Sequence, residues 1–329
     1  MIILGIDTSC DDTSVAVLDN RTVLSNIVSS QVSVHALFGG VVPEIASRRH
    51  VEMVDRIFGR ALVDAGLTVR DIEILSVTHG PGLIGSLLVG LSFGKGLALS
   101  TGMPLVGVNH IEAHAMSIFL DREVDFPFLS LVVSGGHTVL LLFSDAADFR
   151  VLGSTRDDAA GEAFDKIAKY LGLGYPGGRV IEELARAGDP AYVSFPRPMA
   201  EENNYDFSFS GLKTAFINYV NKCGISDENR CHVLASFQEA ACDILSLKTI
   251  RAACDAGVKT VVMGGGVASN ERLRRMMGER CAARGISVYV PSPGYCTDNG
   301  AMVAVTASFH AAKGVFSPMD IRVFSRMRW

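Results

Sequence analysis

Short apolar runs alternate along the chain with polar turns and longer amphipathic segments. The first run, Ile2-Ile3-Leu4-Gly5-Ile6, ends at Asp7, and polar residues 8–13 separate it from the apolar run 14–18. This pattern predicts a strand, a tight turn and a second strand. A similar hairpin is predicted at 128–143, around the turn Ser134-Gly135-Gly136-His137-Thr138. The repeat indicates two duplicated lobes, although two unrelated hairpins would have the same shape.

Helical periodicity follows each hairpin. Apolar residues recur at helical spacing from Pro43 to Gly66, and Gly66 stands where a C-terminal cap belongs. Further strands and helices are predicted in alternation: strands at 71–77, 104–108, 258–263 and 288–290, and helices at 83–100, from 110, from 270 and at 301–312. Such alternation predicts an α/β fold on a largely parallel sheet that is covered on both faces.

Length and composition narrow the class of protein. At roughly 150 residues per domain, 329 residues suggest two domains. The net charge of −5 argues weakly against an obviously basic nucleic-acid binder. Seven cysteines without a C-x-x-C pair indicate a reduced, intracellular protein. No secretory leader is recognised, and the apolar segment 83–100 contains Lys95 and several glycines, so we expect a cytoplasmic protein in which this segment is a buried core helix.

The segment Asn109-His110-Ile111-Glu112-Ala113-His114 is a candidate metal site. Residues four apart lie on one helix face, so both imidazoles can reach one ion, unless they merely cap or pack the helix. Asp298, in a Thr-Asp-Asn-Gly turn, is a plausible third ligand. Two histidines and a carboxylate suit Fe(II) or Zn(II) with open positions. Glu112 follows the first histidine by two places and is expected to point away from the histidine face, which spoils the metalloprotease arrangement.

Glycine-rich turns after strands are candidate ligand-binding loops. Backbone N–H groups of Ser134-Gly135-Gly136 can cradle a phosphate, although an ordinary hairpin turn would look the same. The turn Gly264-Gly265-Gly266 leads to a predicted helix from Asn270, whose N-terminus would favour an anionic group. Neither turn has the spacing of a dinucleotide-binding fingerprint or a P-loop.

Carboxylates at turns are candidate catalytic or magnesium-proximal groups. Asp7 ends the first strand, a common place for a carboxylate near Mg²⁺ or phosphate. Asp11 lies in the same turn, and Asp165 lies in Gly161-Glu162-Ala163-Phe164-Asp165. Three others are predicted to be solvated turn or cap residues: Asp12, Asp157 and Asp158.

A series of ordered motifs resembles one family, the bacterial TsaD family of tRNA threonylcarbamoyladenosine transferases. The motifs extend from the first strand to the last helix, at residues 5–13, 40–44, 80–83, 110–114, 133–138, 157–165, 175–178, 207–213, 264–270 and 296–300. The resemblance implies an α/β fold of two duplicated actin-like lobes, as in sugar kinases and heat-shock 70 proteins, with a cleft between them. It suggests an N-terminal lobe of residues 1–125 plus 303–329 and a C-terminal lobe of 126–302 with a helical insertion at about 155–235.

The resemblance also implies an activity: transfer of the threonylcarbamoyl group from threonylcarbamoyl-AMP to the adenosine 3′ of the tRNA anticodon, with release of AMP. One Fe²⁺ or Zn²⁺ would be held by His110, His114 and Asp298. The adenylate would be bound by Val132, Val133, Ser134, Gly135, Gly136, Asp165, Gly178, Glu182 and Asn270. By chemistry, Asp11 is a candidate to orient or deprotonate the attacking amine, and Mg²⁺ with ATP or AMP is a further candidate ligand near Asp7.

The partners implied by the resemblance are tRNA, the paralogous actin-like subunit TsaB, the P-loop ATPase TsaE and a separate synthase that makes threonylcarbamoyl-AMP; no membrane is implied. Three other functions are alternatives to this interpretation. A metalloprotease of H-x-x-x-H type is disfavoured by the place of Glu112. An actin-like ATPase or kinase would need Mg²⁺ on carboxylates and no histidine pair. A non-catalytic scaffold would not need both histidines and Asp298.

Overall fold

The computed structural model describes residues 1–326, which group into two compact units. One unit contains Met1–Val124 and the described residues from Pro291 onward, and the other is Asp125–Val290. Residues 291–302 therefore group with the N-terminal segment, whereas the prediction placed them in the C-terminal lobe. The reason is that the helix beginning at Gly300 packs on the first two strands of the chain. Residues 327–329 of the predicted N-terminal lobe lie outside the described residues.

The strands and helices are numbered here in chain order. The strands are β1 (Ile2–Asp7), β2 (Asp12–Asp19), β3 (Thr22–Ser30), β4 (Ile74–Gly80), β5 (Leu105–Asn109), β6 (Phe128–Val133), β7 (Thr138–Asp145), β8 (Asp148–Ser154), β9 (Thr260–Gly264) and β10 (Ser287–Tyr289). The helices are α1 (Val32–Ala36), α2 (Pro43–Ala65), α3 (Ile84–Thr101), α4 (His110–Met116), α5 (Ala160–Tyr170), α6 (Gly177–Ala185), α7 (Ser210–Cys223), α8 (Arg230–Asp255), α9 (Glu271–Ala282), α10 (Pro293–Cys296) and α11 (Gly300–Ala312).

The two units contain five-stranded sheets of the same topology. The first has the order β3-β2-β1-β4-β5, and the second has the matching order β8-β7-β6-β9-β10. In each sheet the first three strands in sequence pair antiparallel, and the last two join in parallel. The duplication predicted from the two hairpins is thus confirmed. The expectation of a largely parallel sheet was wrong, because strands joined by short turns pair antiparallel.

In each sheet, the carboxyl ends of the parallel strands lie along one edge. In the first unit, β1, β4 and β5 are neighbours in parallel, so the residues that follow them lie along the same edge. Asp7 ends β1, and α4 follows β5 without a gap. In the second unit, β6 and β9 are parallel neighbours, so the turns after Val133 and Gly264 also share an edge. These edges carry the predicted functional residues.

Helices α2 and α3 pack against each other on the first sheet. As predicted, α2 ends at Gly66, whose φ of 68° is the left-handed conformation that glycine adopts at helix ends. Helix α3 alone, among residues 1–326, is long and apolar enough to cross a membrane. It lies close to β4, since a Cβ added at Gly94 would come within 2.5 Å of Val77. Helix α3 is therefore a core helix, as predicted, but it is only partly buried, because Leu88 and Leu99 are exposed.

Candidate metal centre and ligand-binding turns

The two histidines and Asp298 meet at the starts of two capped helices. The Asn109 side chain caps α4 by accepting hydrogen bonds from the Ile111 and Glu112 N–H groups at 2.9 and 3.3 Å. This cap starts the helix at His110 and places His114 one turn later, with the two ring centroids 4.7 Å apart. Asp298 precedes α11, whose start is fixed by the Asn299 side chain accepting from Met302 N–H.

The geometry of this triad fits a metal ion. Candidate ligand atoms of His110, His114 and Asp298 all lie within 4.8 Å of one another. Nε2 of His114 is 3.0 Å and Nε2 of His110 is 3.7 Å from Oδ1 of Asp298. His114 is fully buried, yet neither of its ring nitrogens makes a hydrogen bond of acceptable geometry. A buried polar atom without a partner costs about 1–3 kcal/mol, and a metal ion would satisfy it.

The charge state of His110 is governed by two carboxylates. Burial lowers the pKa of His110, but the carboxylates of Asp298 and Asp7 more than offset this effect and raise the pKa to about 9. A metal ion that binds at this imidazole therefore competes with a proton that the same carboxylates favour. Asp7 is fully buried, with Oδ2 3.5 Å from Nδ1 of His110 and Oδ1 accepting a hydrogen bond from Ser9 N–H at 3.1 Å.

Glu112 has a partner outside the triad. Its Oε1 accepts a hydrogen bond from Nε2 of His310, near the end of α11, at 2.7 Å, and the Glu112 side chain is almost fully buried. The candidate ligand group does not include Glu112. This agrees with the prediction that Glu112 turns away from the histidine face and is not placed as a protease base.

The turn between β1 and β2 concentrates further carboxylates near Asp298. Burial raises the pKa of Asp11, and the nearby Asp298 carboxylate raises it further, against a lowering hydrogen bond with the Cys10 thiol. Burial likewise raises the pKa of Asp12 to about 7, although Ser30 hydrogen-bonds to it. Asp12 was predicted to be a solvated turn residue, and this was wrong because the turn folds inward beside the triad.

The sequence analysis did not select two buried histidines near this turn, and one of them, His50, holds the turn in place. His50 of α2 is fully buried; its Nε2–H donates to the Cys10 carbonyl at 3.0 Å, so Nδ1 accepts from the Thr13 hydroxyl at 2.8 Å. His35 of α1 is also fully buried, and its Nδ1 accepts from Val42 N–H at 3.3 Å. A histidine on the inner face of an otherwise amphipathic helix was the available sequence signal.

In the second unit, two segments pack closely around the turn after β6. Gly161 N–H at the start of α5 donates to the Ser134 carbonyl at 3.2 Å, and a Cβ on Gly161 would lie 2.6 Å from that oxygen. Gly265 has a φ of 89°, and a Cβ there would overlap the Val133 carbonyl. Gly135 and Gly136, in contrast, have open space where a Cβ would be. The turn therefore presents accessible backbone on one side and is tightly packed on the other.

The remaining predicted adenylate residues lie at helix starts or bond to the N–H groups of helix starts. Oδ1 of Asp165 accepts from Gly177 N–H at 2.7 Å, beside Gly178 in the first turn of α6. Oε1 of Glu182 accepts from the N–H of the first residue of α9 at 2.8 Å. Asn270 caps α9 by accepting from Leu273 N–H at 3.0 Å and donates to Gln238 at 2.8 Å. All three side chains thus already bond to the protein.

Asp157 and Asp158 both bond within this unit, Asp157 from an exposed position and Asp158 from a partly buried one. Asp157 accepts hydrogen bonds from the Ser208 hydroxyl at 2.6 Å and from the Phe209 and Ser210 N–H groups at 2.8 and 3.2 Å. Asp158 pairs with Lys166 and Lys213, each at 2.6 Å. Asp157 is exposed and bonds N–H groups at the start of α7, in agreement with the prediction of a solvated turn or cap residue. The prediction was wrong for Asp158, which is partly buried and paired with two lysines. Together they tie the segment 157–165 to the segment 207–213.

Comparison with known proteins agrees with this arrangement. A family model described as "TsaD: tRNA N6-adenosine threonylcarbamoyltransferase" matches residues 22–305. The enzyme of that name from Geotalea uraniireducens is 50% identical over 324 residues, covering 98% of this chain and 94% of its own length. That of Geobacter metallireducens is 52% identical over 324 residues, covering 98% and 95%.

A solved structure supports the fold. Component A of (R)-2-hydroxyglutaryl-CoA dehydratase from Acidaminococcus fermentans superposes with a TM-score of 0.56 at 16% identity, over 95% of this chain and 99% of that one. The matched topology of the two sheets is that of two actin-like lobes. Because about half of its residues are identical to these relatives over nearly its whole length, the chain belongs to the family of tRNA N6-adenosine threonylcarbamoyltransferases, enzymes that act on tRNA.

Proposed function

We propose that this transferase uses threonylcarbamoyl-AMP as donor and the adenosine 3′ of the anticodon as acceptor, and that its reaction centre is a metal held by His110, His114 and Asp298. The observation that best supports the metal centre is the state of His114. Its imidazole is fully buried beside the Asp298 carboxylate, and neither ring nitrogen makes a hydrogen bond of acceptable geometry. A protein core rarely retains such a group without a ligand for it.

The reaction exchanges a carbon–oxygen bond for a carbon–nitrogen bond and moves one proton from the amine to a base. The N6 amine of adenosine attacks the carbamoyl carbon, the bond from that carbon to the phosphate oxygen breaks, and AMP leaves with the bonding electrons. When bound, Fe²⁺ or Zn²⁺ supplies Lewis acidity that stabilises negative charge developing on oxygen. The amine must lose a proton, and Asp11 is proposed to accept it. Its raised pKa supports this role, because a base is most effective when its pKa approaches the working pH.

The adenylate is proposed to bind to the second unit through Val132, Val133, Ser134, Gly135, Gly136, Asp165, Gly178, Glu182 and Asn270. Accessible backbone at Gly135 and Gly136 suits close approach of a phosphate, whose oxygens accept hydrogen bonds from N–H groups. The starts of α6 and α9 add donors and a favourable dipole for an anion. Because Asp165, Glu182 and Asn270 bond to helix-start N–H groups, we propose that they shape this site as well as line it.

The proposed protein partners are the paralogous subunit TsaB, the ATPase TsaE and the synthase of threonylcarbamoyl-AMP, all acting in the cytoplasm. The surface proposed for the paralogue is formed by α2 and α3. Both helices expose large apolar side chains, among them Val63 and Leu99, each 74% exposed. Exposed large apolar side chains grouped on one surface are typical of a protein interface.

A transfer assay with purified partners, tRNA and threonylcarbamoyl-AMP tests the proposal, with the modified nucleoside detected by mass spectrometry. We expect one transition metal per wild-type chain, little metal in His110→Ala, and loss of product in that variant. The matched control is His232→Ala, because His232 accepts a hydrogen bond from Asp189 N–H in the other unit. Equal metal in wild type and His110→Ala would remove His110 from the site.

The proposed base has its own test. Asp11→Ala should lower the single-turnover transfer rate by about 10²–10⁴-fold, while metal content and AMP affinity stay near wild type. A parallel fall in AMP affinity would place Asp11 among the binding residues. An unchanged rate would leave activation of the amine to the metal or to positioning alone.

A further inference from the structure

Asp7 is placed against a candidate metal ligand and away from solvent. It is the last residue of β1 and is fully buried. Its Oδ1 is taken by the hydrogen bond from Ser9 N–H, whereas its Oδ2 makes no hydrogen bond that meets strict geometry and lies 3.5 Å from Nδ1 of His110. A carboxylate that contacts a hydrated Mg²⁺ or a phosphate needs access to solvent or ligand, and Asp7 has none in this structure.

The two nitrogens of His110 face different groups. Nε2 lies 3.7 Å from Oδ1 of Asp298, the same oxygen that Nε2 of His114 approaches to 3.0 Å. Nε2 is therefore the nitrogen on the metal side, and Nδ1 is the outer nitrogen that faces Asp7. A neutral imidazole carries one proton, and the nitrogen that binds a metal must be the one without it.

We propose that Asp7 is a positioning residue of the metal centre: it accepts the Nδ1–H of His110 and so keeps Nε2 unprotonated and turned towards the metal. This role differs from the magnesium- or phosphate-proximal one that its place at a strand end suggested. A carboxylate behind a ligating histidine fixes the tautomer and the ring orientation and raises the basicity of the ligand. The inference rests on the proposed function only in taking the triad as a metal site.

The substitution Asp7→Asn tests this hydrogen bond with little change in shape. An amide can donate to Nδ1, which favours the tautomer with the proton on Nε2, and that tautomer cannot bind metal through Nε2. Removing such a carboxylate typically costs about 10–100-fold in metal affinity. We expect a loss of that size for Zn²⁺, measured by chelator competition on the full chain without substrate, with the thermal unfolding of the metal-free protein as the check on folding.

Asp12→Asn is the matched control. Asp12 belongs to the same hairpin, is largely buried and also interacts with Asp298, but its hydrogen bond goes to Ser30 and not to a candidate ligand. It should therefore change Zn²⁺ affinity much less than Asp7→Asn. Equal losses in both variants would show a general charge effect and overturn the proposal. Unchanged Zn²⁺ affinity in Asp7→Asn with weakened Mg²⁺–ATP binding would also overturn it and assign Asp7 to a nucleotide site.

A second measurement needs no substitution. In zinc-loaded wild type labelled with ¹⁵N-histidine, the His110 ring should show the tautomer with hydrogen on Nδ1 and Nε2 bound to the metal. The opposite tautomer would contradict the proposal. Failure of the proposed function is distinguishable: if zinc binding behaves as expected and threonylcarbamoyl-AMP is not used as donor, the role of Asp7 stands and the proposed donor does not.

Discussion

Replacing His114 by leucine separates two effects of this residue on the free energy of unfolding: the cost of burying an imidazole without hydrogen bonds, and the stabilisation gained when a metal binds. In the metal-free protein the two buried nitrogens of His114 have no hydrogen-bond partners, and each such group costs about 1–3 kcal/mol. Leucine has a similar volume and no polar atom, so His114→Leu relieves this cost and loses only the 3.0 Å contact with Asp298. We expect the metal-free variant to be as stable as metal-free wild type or about 1–3 kcal/mol more stable.

Added metal should reverse the order of stability. A ligand that binds only the folded state at 100 times its dissociation constant stabilises it by about 2.7 kcal/mol. Wild type should gain this amount with Zn²⁺, and His114→Leu should gain almost none. The assay is urea denaturation followed by circular dichroism, with chelator and with Zn²⁺, at one pH and one protein concentration.

His50→Leu is the control for burying leucine at a histidine position. His50 is equally buried, but both of its nitrogens are hydrogen-bonded, to Thr13 and to the Cys10 carbonyl. Its loss leaves those partners unpaired and should destabilise the protein by about 2–4 kcal/mol with or without metal. If His114→Leu destabilises the metal-free protein as much as His50→Leu does, or keeps the Zn²⁺ stabilisation, the interpretation of His114 as a ligand is refuted.

Three other predictions concern separate parts of the chain. Gly136→Val should weaken AMP binding in calorimetry while the fold survives, because space above Gly136 is open; Gly265→Ala should instead lower the unfolding temperature, since its φ is 89° and a Cβ would overlap a carbonyl. Equal AMP affinity in wild type and Gly136→Val would move the phosphate elsewhere. The pKa of Asp12 is about 7 in the folded protein, against an ordinary value of 3.8 that applies to the unfolded chain. The protonated Asp12 side chain therefore contributes its full stability below about pH 4, and this contribution is lost as the pH rises through 7. Asp12→Asn should thus stabilise the metal-free protein more at pH 8 than at pH 5, by at most about 3 kcal/mol; no pH dependence of the difference would contradict the raised pKa. Finally, Val63→Arg and Leu99→Asp should abolish capture of the purified paralogue while leaving AMP affinity unchanged, and persistent capture would exclude this face as the interface.

Several features of this protein were determined by the sequence alone, because local patterns specify them. Alternation of apolar and polar residues marked both hairpins, and the glycine after α2 marked its end. Spacing of four put His110 and His114 on one helix face, and the structure adds Asp298 to them as predicted. These signals depend on residues within one or two turns of each other, so they survive without knowledge of the fold.

Other features depend on which distant segments meet, and only the tertiary structure decided them. Each predicted hairpin gains a third antiparallel strand, β3 or β8, which the sequence pattern did not reveal. Asp7 contacts His110, more than a hundred positions away in the chain, and the raised pKa of Asp12 depends in part on Asp298, which lies near the end of the chain. Contacts between such distant residues produce no periodic pattern in the sequence. The burial and the pKa of these carboxylates depend on neighbours that come close only in the folded protein.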